Sequence, residues 1–308
     1  MEQAIHPHHH IMRGIALRIS AGVVFSMMVA LLKLAATWGA SLAEIIFFRS
    51  LVGMVVVLVW VMPREGIVGI TPQRPWFLVG RNVLGVIAML ASFGALVLLP
   101  LAEATTIGFT APVFATLLSW LLLSEHVGPH RWGAALVAFL GVIVVMRPGA
   151  SGHEAIAPLG VMLSLAGAFC AATVTITLRQ MAGIESIGAI VFWFQASAAL
   201  VGAVLIPFLG FSTDTGTIAI LIIAGLFGGL GQIWMTASLH AAPVAALTPF
   251  DYIQPILAAL LGWMLIGTVP TPYTWAGAAL IGGSGFYTMW RERRLHLREA
   301  ESATQPLV

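Results

Sequence analysis

Charged side chains are the scarcest class in this chain, 8% of its residues, where soluble domains carry about 25%. Apolar and aromatic side chains make up 59%, and the mean hydropathy is +0.99. So little polar surface cannot cover a water-facing fold, which excludes a soluble domain, a disordered chain and a free nucleic-acid binder. A hydrophobic helix needs about 20 residues to cross roughly 30 Å of hydrocarbon. Ten such helices would use roughly 200 residues of the 308 and leave only short loops. The chain reads as an all-α polytopic membrane protein, with the lipid bilayer as its first partner.

Apolar runs between polar or Pro/Gly breaks give ten spans, near 14–37, 41–62, 76–98, 103–123, 130–147, 157–180, 186–207, 216–240, 244–266 and 273–290. With the N-terminus in the cytoplasm, Arg13, Arg64, Arg74, Arg131, Arg179, Arg291, Arg293, Arg294 and Arg298 all fall inside, and Arg147 alone falls outside. Basic residues collect on the cytoplasmic side of membrane proteins, so both ends are expected there, with 1–13 and 291–308 as tails. The pI near 9.1 therefore reports orientation rather than a nucleic-acid partner. Lys33, Arg18, Arg49 and Arg81 lie within the apolar runs. The one cysteine, Cys170, reads as a small buried residue. The histidines of His6–His10 read as a tail, and no metal site is expected.

A shift of 143 positions superposes PVFATLLSWLLLSEHVGPHRWGAAL (112–136) on PILAALLGWMLIGTVPTPYTWAGAA (255–279) without a gap. It aligns Pro112 with Pro255, Trp120 with Trp263, Pro129 with Pro272 and Trp132 with Trp275. A shift of 146 sets IIFFRS (45–50) over VFWFQA (191–196). Leu-rich helices align by chance, whereas matched Trp and Pro pairs rarely do. Each unit holds five spans, 14–148 and 157–290. An odd number sends the second unit into the membrane from the opposite side, so two inverted five-helix repeats are expected. Many secondary transporters have this architecture, with a site near the midplane.

The stretch 102–145 closely resembles the signature helix pair of EamA-type transporters in the drug/metabolite transporter superfamily. Ala102, Ala104, Pro112, Glu125, Gly133 and Gly141 stand at its characteristic places, and FFR at 47–49 resembles the family's arginine-bearing second helix. The second half departs from the pattern, with Thr268 where Glu is usual. The resemblance implies a carrier of small organic metabolites, often an exporter, whose cavity is lined by helices one, three, four, six, eight and nine. It leaves open amino acids, nucleotide-like compounds, vitamins, sugars and drugs.

Proline within a span deprives the carbonyl four residues earlier of its helical donor. Pro112 would free Gly108, and Pro255 would free Asp251, positions that the repeat also matches. Gly108, Pro112 and Pro255 are thus candidate hinges or loosened binding turns, with simple packing kinks as the alternative. A carboxylate within a span is costly without water or a partner. Asp251, beside Tyr252 and Gln254, is expected to face a cavity, or else to pair with Lys33 or Arg81. Gln232 and Trp234 lie on a Gly-rich helix. They could contact substrate, although Gly225-xxx-Gly229 also suits close helix packing. Candidate substrate contacts are therefore Lys33, Arg81, Asp251, Tyr252, Gln254, Gln232 and Trp234. Arg49, expected to meet Glu44 or a backbone carbonyl, and Glu125 are assigned to structure.

No Walker A loop, HExxH, GxSxG or cysteine cluster occurs, so neither an enzyme nor a bound cofactor is expected. The function expected is alternating-access transport of a small organic molecule such as an amino acid, outward across a bacterial inner membrane. It would be driven by the substrate gradient, exchange or protons. Import of a vitamin or nucleotide-like metabolite, a membrane sensor or scaffold, and an enzyme acting on lipid-linked substrates are the rivals.

Overall fold

The computed structural model describes residues 7–111, 113–115, 117–118, 129–146, 156–181, 183–211, 214–242, 247, 250–251 and 253–304. Among them are ten α-helices: α1 (Pro7–Thr37), α2 (Leu42–Glu65), α3 (Pro75–Leu98), α4 (Leu101–Gly108), α5 (Pro129–Met146), α6 (Pro158–Met181), α7 (Ile187–Leu209), α8 (Thr215–Ala241), α9 (Ile253–Ile266) and α10 (Pro272–Thr304). A short 3-10 helix, Gly66–Ile70, follows α2. Helices α1 and α10 continue into the segments expected as tails.

Local chemistry explains the helix starts. α1, α3, α5, α6 and α10 begin on proline, whose missing N–H is not needed at the first helical position. Ser41 caps α2 in a capping box: its hydroxyl accepts from the Glu44 N–H, and the Glu44 carboxylate accepts from the Ser41 N–H at 2.8 Å. Ser186 caps α7 by accepting from the Ala189 N–H at 3.0 Å. Asp214 caps α8, where hydrogen bonds from the backbone and side chain of Thr217 hold its carboxyl below the usual aspartate range.

Among the described residues, six helices are long and apolar enough to cross a membrane, within Met12–Thr37, Leu42–Ile70, Pro75–Leu98, Pro158–Leu178, Ile187–Leu209 and Thr215–Ala241. Trp132–Met146 and Ile253–Ile266 are shorter apolar helices. The expected fourth span is interrupted. Its helix ends at Gly108, turns through Phe109 and Thr110, and is helical again at Ala111. The expected ninth span has a 3-10 turn at Phe250–Asp251 before α9. Outward faces carry Val59, Leu136, Leu140, Leu200 and Met264, side chains that acyl chains solvate. Trp38, at the end of α1, and Trp76, in the first turn of α3, are exposed, where indole suits the membrane–water boundary.

The helices pack in a definite set of pairs. α1 lies on α8 and α9, α3 on α6 and α7, and α2 on α7 and α8; α4 meets α6, α9 and α10, and α5 meets α10. Small residues allow the closest of these. A Cβ on Gly225 of α8 would sit 2.6 Å from Val52 Cβ, and one on Gly229 would sit 2.8 Å from Val56 Cβ, both on α2.

Candidate transport site

Two groups of polar side chains lie between these helices. The first joins α1 to the turn before α9. Arg18 Nε donates to Asp251 Oδ1 at 2.6 Å and Nη2 donates to Oδ2 at 2.7 Å, a two-point ion pair with both side chains mostly buried. Asp251 thus pairs with Arg18, and not with Lys33 or Arg81, the partners expected on the alternative to a cavity-facing role. Gln254 packs against α1 one turn on from Arg18, its Cγ 3.6 Å from where a Cβ on Gly22 would lie. Pro255 falls in the first turn of α9, where an N–H has no intrahelical acceptor to lose. It therefore marks a helix start rather than the expected mid-helix kink.

The second group lies where α2, α3 and α7 meet. Arg49 Nη1 donates to Gln195 Oε1 at 2.9 Å and approaches Met89 Sδ at 3.2 Å. Its guanidinium carbon stands 5.8 Å from the ring centre of Phe93 and 5.7 Å from that of Phe194. Arg81 stands 4.6 Å from the Phe194 ring centre and donates to Asn82 Oδ1 at 3.1 Å. Arg49, Arg81 and Gln195 are 4%, 2% and 0% exposed, so these cations sit in the protein interior. Glu44, expected beside Arg49, is held in the capping box instead.

Lys33 lies apart from both groups. Its ammonium donates to the carbonyls of Leu96 at 2.8 Å, Val97 at 3.3 Å and Leu99 at 2.7 Å. Those carbonyls lack helical donors at the end of α3, and a cation there is favourable. Gln232 is buried on α8, and Trp234 packs with Val57, Val61, Val191 and Ile233 in an apolar cluster. Gly108 is the last residue of α4. Pro112, Glu125 and Tyr252 lie outside the described residues.

An open crevice of about 470 Å³ between α4, α9 and α10 has Thr106, Phe109, Pro255, Ile256, Trp275 and Phe286 in its lining. Close to it, buried Glu103 of α4 accepts from the Thr274 hydroxyl of α10 at 2.7 Å. Beyond the break that ends α4, Phe114 meets Phe169 of α6 edge-on, ring centres 5.7 Å apart. Sequence reasoning did not place Arg18, Phe194, Gln195 or Glu103 in a site. For Gln195 a signal existed, because the shift of 146 aligns it with Arg49.

Comparison with known proteins places this architecture. The EamA-like transporter family matches residues 12–147 and again 158–290. A riboflavin transporter of Rhizobium johnstonii is 31% identical, over 78% of this chain and 78% of its own length. A pseudopaline exporter of Pseudomonas aeruginosa is 32% identical, over 87% of this chain and 93% of its own. An S-adenosylmethionine uptake transporter of Rickettsia felis is 23% identical, over 84% and 86%. A solved structure covering 92% of this chain and 98% of its own aligns with TM-score 0.66 and 21% identity, a likeness of fold. The chain belongs to the EamA-like transporter family.

Proposed function

We propose that this protein is a secondary transporter of a small organic metabolite, working by alternating access between two inverted five-helix repeats. The reciprocity of its helix contacts carries the reading. If each helix of the first half corresponds to the one five later, the packing of α1 on α8 corresponds to that of α6 on α3. Likewise α1 on α9 corresponds to α6 on α4, and α2 on α8 to α7 on α3. The α2–α7, α4–α9 and α5–α10 pairs correspond to themselves. Side chains repeat the relation. Ser41, capping α2, donates to the carbonyl of Gly210 just past α7 at 3.0 Å, while Ser186, capping α7, donates to that of Gly69 just past α2 at 2.7 Å. Between these two ends Arg49 and Gln195 meet.

The α1–α9 seam and the corresponding α6–α4 seam supply the two gates. An Arg18–Asp251 ion pair closes one, and the Phe114–Phe169 contact lies in the other. The orientation of the basic residues supports both termini on the cytoplasmic side, in a bacterial inner membrane. That orientation places the ion-pair gate on the cytoplasmic side. Relatives named for export and for uptake both occur; we favour export of an amino-acid-like metabolite. The likeness to a riboflavin transporter favours uptake of a vitamin as the second reading. Counterflow in proteoliposomes with labelled amino acids, nucleosides and vitamins tests both. Exchange of a labelled solute is expected, and its absence across the panel with correctly inserted protein would remove the transporter reading.

A further inference from the structure

We propose that Arg49, Arg81, Phe194 and Gln195 form a binding site for the carboxylate of a small amphipathic organic anion, the substrate class of the transporter proposed above. The inference rests on that reading for its role in transport.

Among the described residues, the other cations within the apolar helices meet a carboxylate or backbone carbonyls. Arg18 has a carboxylate held at two points, and Lys33 has three carbonyls. Arg49 and Arg81 do not follow this pattern. Among the described residues no carboxylate stands within ion-pair distance of either. Both guanidiniums approach one ring, that of Phe194. Arginine stays charged at any accessible pH, so two like charges share a buried site where, among the described residues, aromatic faces, a sulfur and amide oxygens surround them. Cation–π contact attracts a guanidinium but does not cancel its charge.

Donors are also left over. Arg49 Nε, Arg81 Nε and Gln195 Nε2 are buried without an acceptor, as are Arg18 Nη1 and the Ser50 hydroxyl. Buried donors are nearly always satisfied, so the first three describe what is missing: an acceptor-only group carrying negative charge. A carboxylate fits, since its oxygens accept several N–H bonds and guanidinium binds it with matched geometry. The rings of Phe93 and Phe194 beside the charges suit an apolar body attached to it.

Glycines of α2, α3 and α8 pack directly against these side chains. A Cβ on Gly85 would lie 2.9 Å from Phe194 Cε2, one on Gly228 would lie 3.2 Å from Arg49 Nε, and one on Gly53 would collide with Gln195 Nε2. The cluster also sits on the α2–α7 pair, between the two serine contacts that tie the halves together. A ligand there would touch both repeats, as alternating access requires.

The test uses the purified full-length chain in detergent, with benzoate as the probe and neutral benzamide as its shape-matched control. Benzoate should raise the melting temperature, and benzamide should not. Arg81→Gln should weaken the benzoate response at least about tenfold, equivalent to about 1.4 kcal/mol. Gln195→Glu guards against variants that fail to fold, because it supplies an internal carboxylate beside Arg49. It should melt higher than the wild type without ligand and lose the benzoate response. No response to benzoate, an equal response to benzamide, or a wild-type benzoate response in folded Gln195→Glu would overturn the site. Counterflow separates this failure from that of the transporter reading. Exchange of neutral or cationic solutes without a benzoate response sinks the anion site alone. An arginine-dependent benzoate response without exchange of any solute sinks transport alone.

Discussion

A cation inside a bilayer must find electron density to replace its hydration, and single residues here find it in different ways. Lys33 takes the open carbonyls at the end of α3, Arg49 and Arg81 take aromatic faces and amides, and Arg18 takes the carboxylate of Asp251. The last is a two-point ion pair of opposite charges, with exposures of 12% and 18%. Removing one partner of such a pair leaves the other uncompensated, a larger effect than the pair's own net contribution. Asp251→Asn is therefore expected to lower stability by about 3 kcal/mol, read as a fall in melting temperature, and to impair transport. Exchanging the charges, Arg18→Asp with Asp251→Arg, should restore most of the loss. A variant Asp251→Asn as stable as the wild type would show that the pair does not hold the seam.

At the scale of elements, small residues set how closely helices approach, since apolar side chains gain little by leaving lipid for another helix. Gly225 and Gly229 place α8 against the backbone of α2, and the built Cβ at Gly225 also comes within 3.1 Å of the Phe48 carbonyl oxygen. Gly225→Leu should destabilise the chain by about 1–3 kcal/mol through this clash. Ile222→Ala, on an exposed part of the same helix, should change the melting temperature little. Differential melting of the two variants in one detergent checks this. The Gly225-xxx-Gly229 spacing was legible as a packing seam, and so were most helices. Expected spans at 41–62 and 157–180 became Leu42–Glu65 and Pro158–Met181, because long apolar runs bounded by Ser, Pro or Gly leave few alternatives. The breaks at Gly108–Thr110 and Phe250–Asp251 were legible only as prolines nearby. Proline announces an irregularity, but whether it kinks a helix or starts one depends on neighbouring packing. The Arg18–Asp251 pair was not legible at all, because its members stand 233 residues apart and no local period relates them. Gln195 has the same hydropathy whether it packs or binds, so only the repeat pointed to it.

For the whole molecule, the decisive relation is that Ser41–Gly210 and Ser186–Gly69 are the same contact made at opposite ends of the α2–α7 pair. Each hydroxyl caps its own helix and holds the residues just past the other helix, so on the proposed two-repeat reading each contact restrains one mouth. If the halves exchange conformations during transport, weakening one contact should favour opening at its own end and leave the other closed. Ser41→Ala and Ser186→Ala are therefore expected to shift the equilibrium in opposite directions, and the double variant should return near the wild-type balance. Spin labels across each mouth, in a Cys170→Ser background that removes the single native thiol, would read the two distance distributions. A hydrogen bond of this kind contributes about 1 kcal/mol, enough to change a population ratio about fivefold. A shift of both variants in the same direction would mean that the two contacts act as one general clamp. Opposite shifts would mean that the duplicated serines tune the two faces separately, as a two-gated carrier requires.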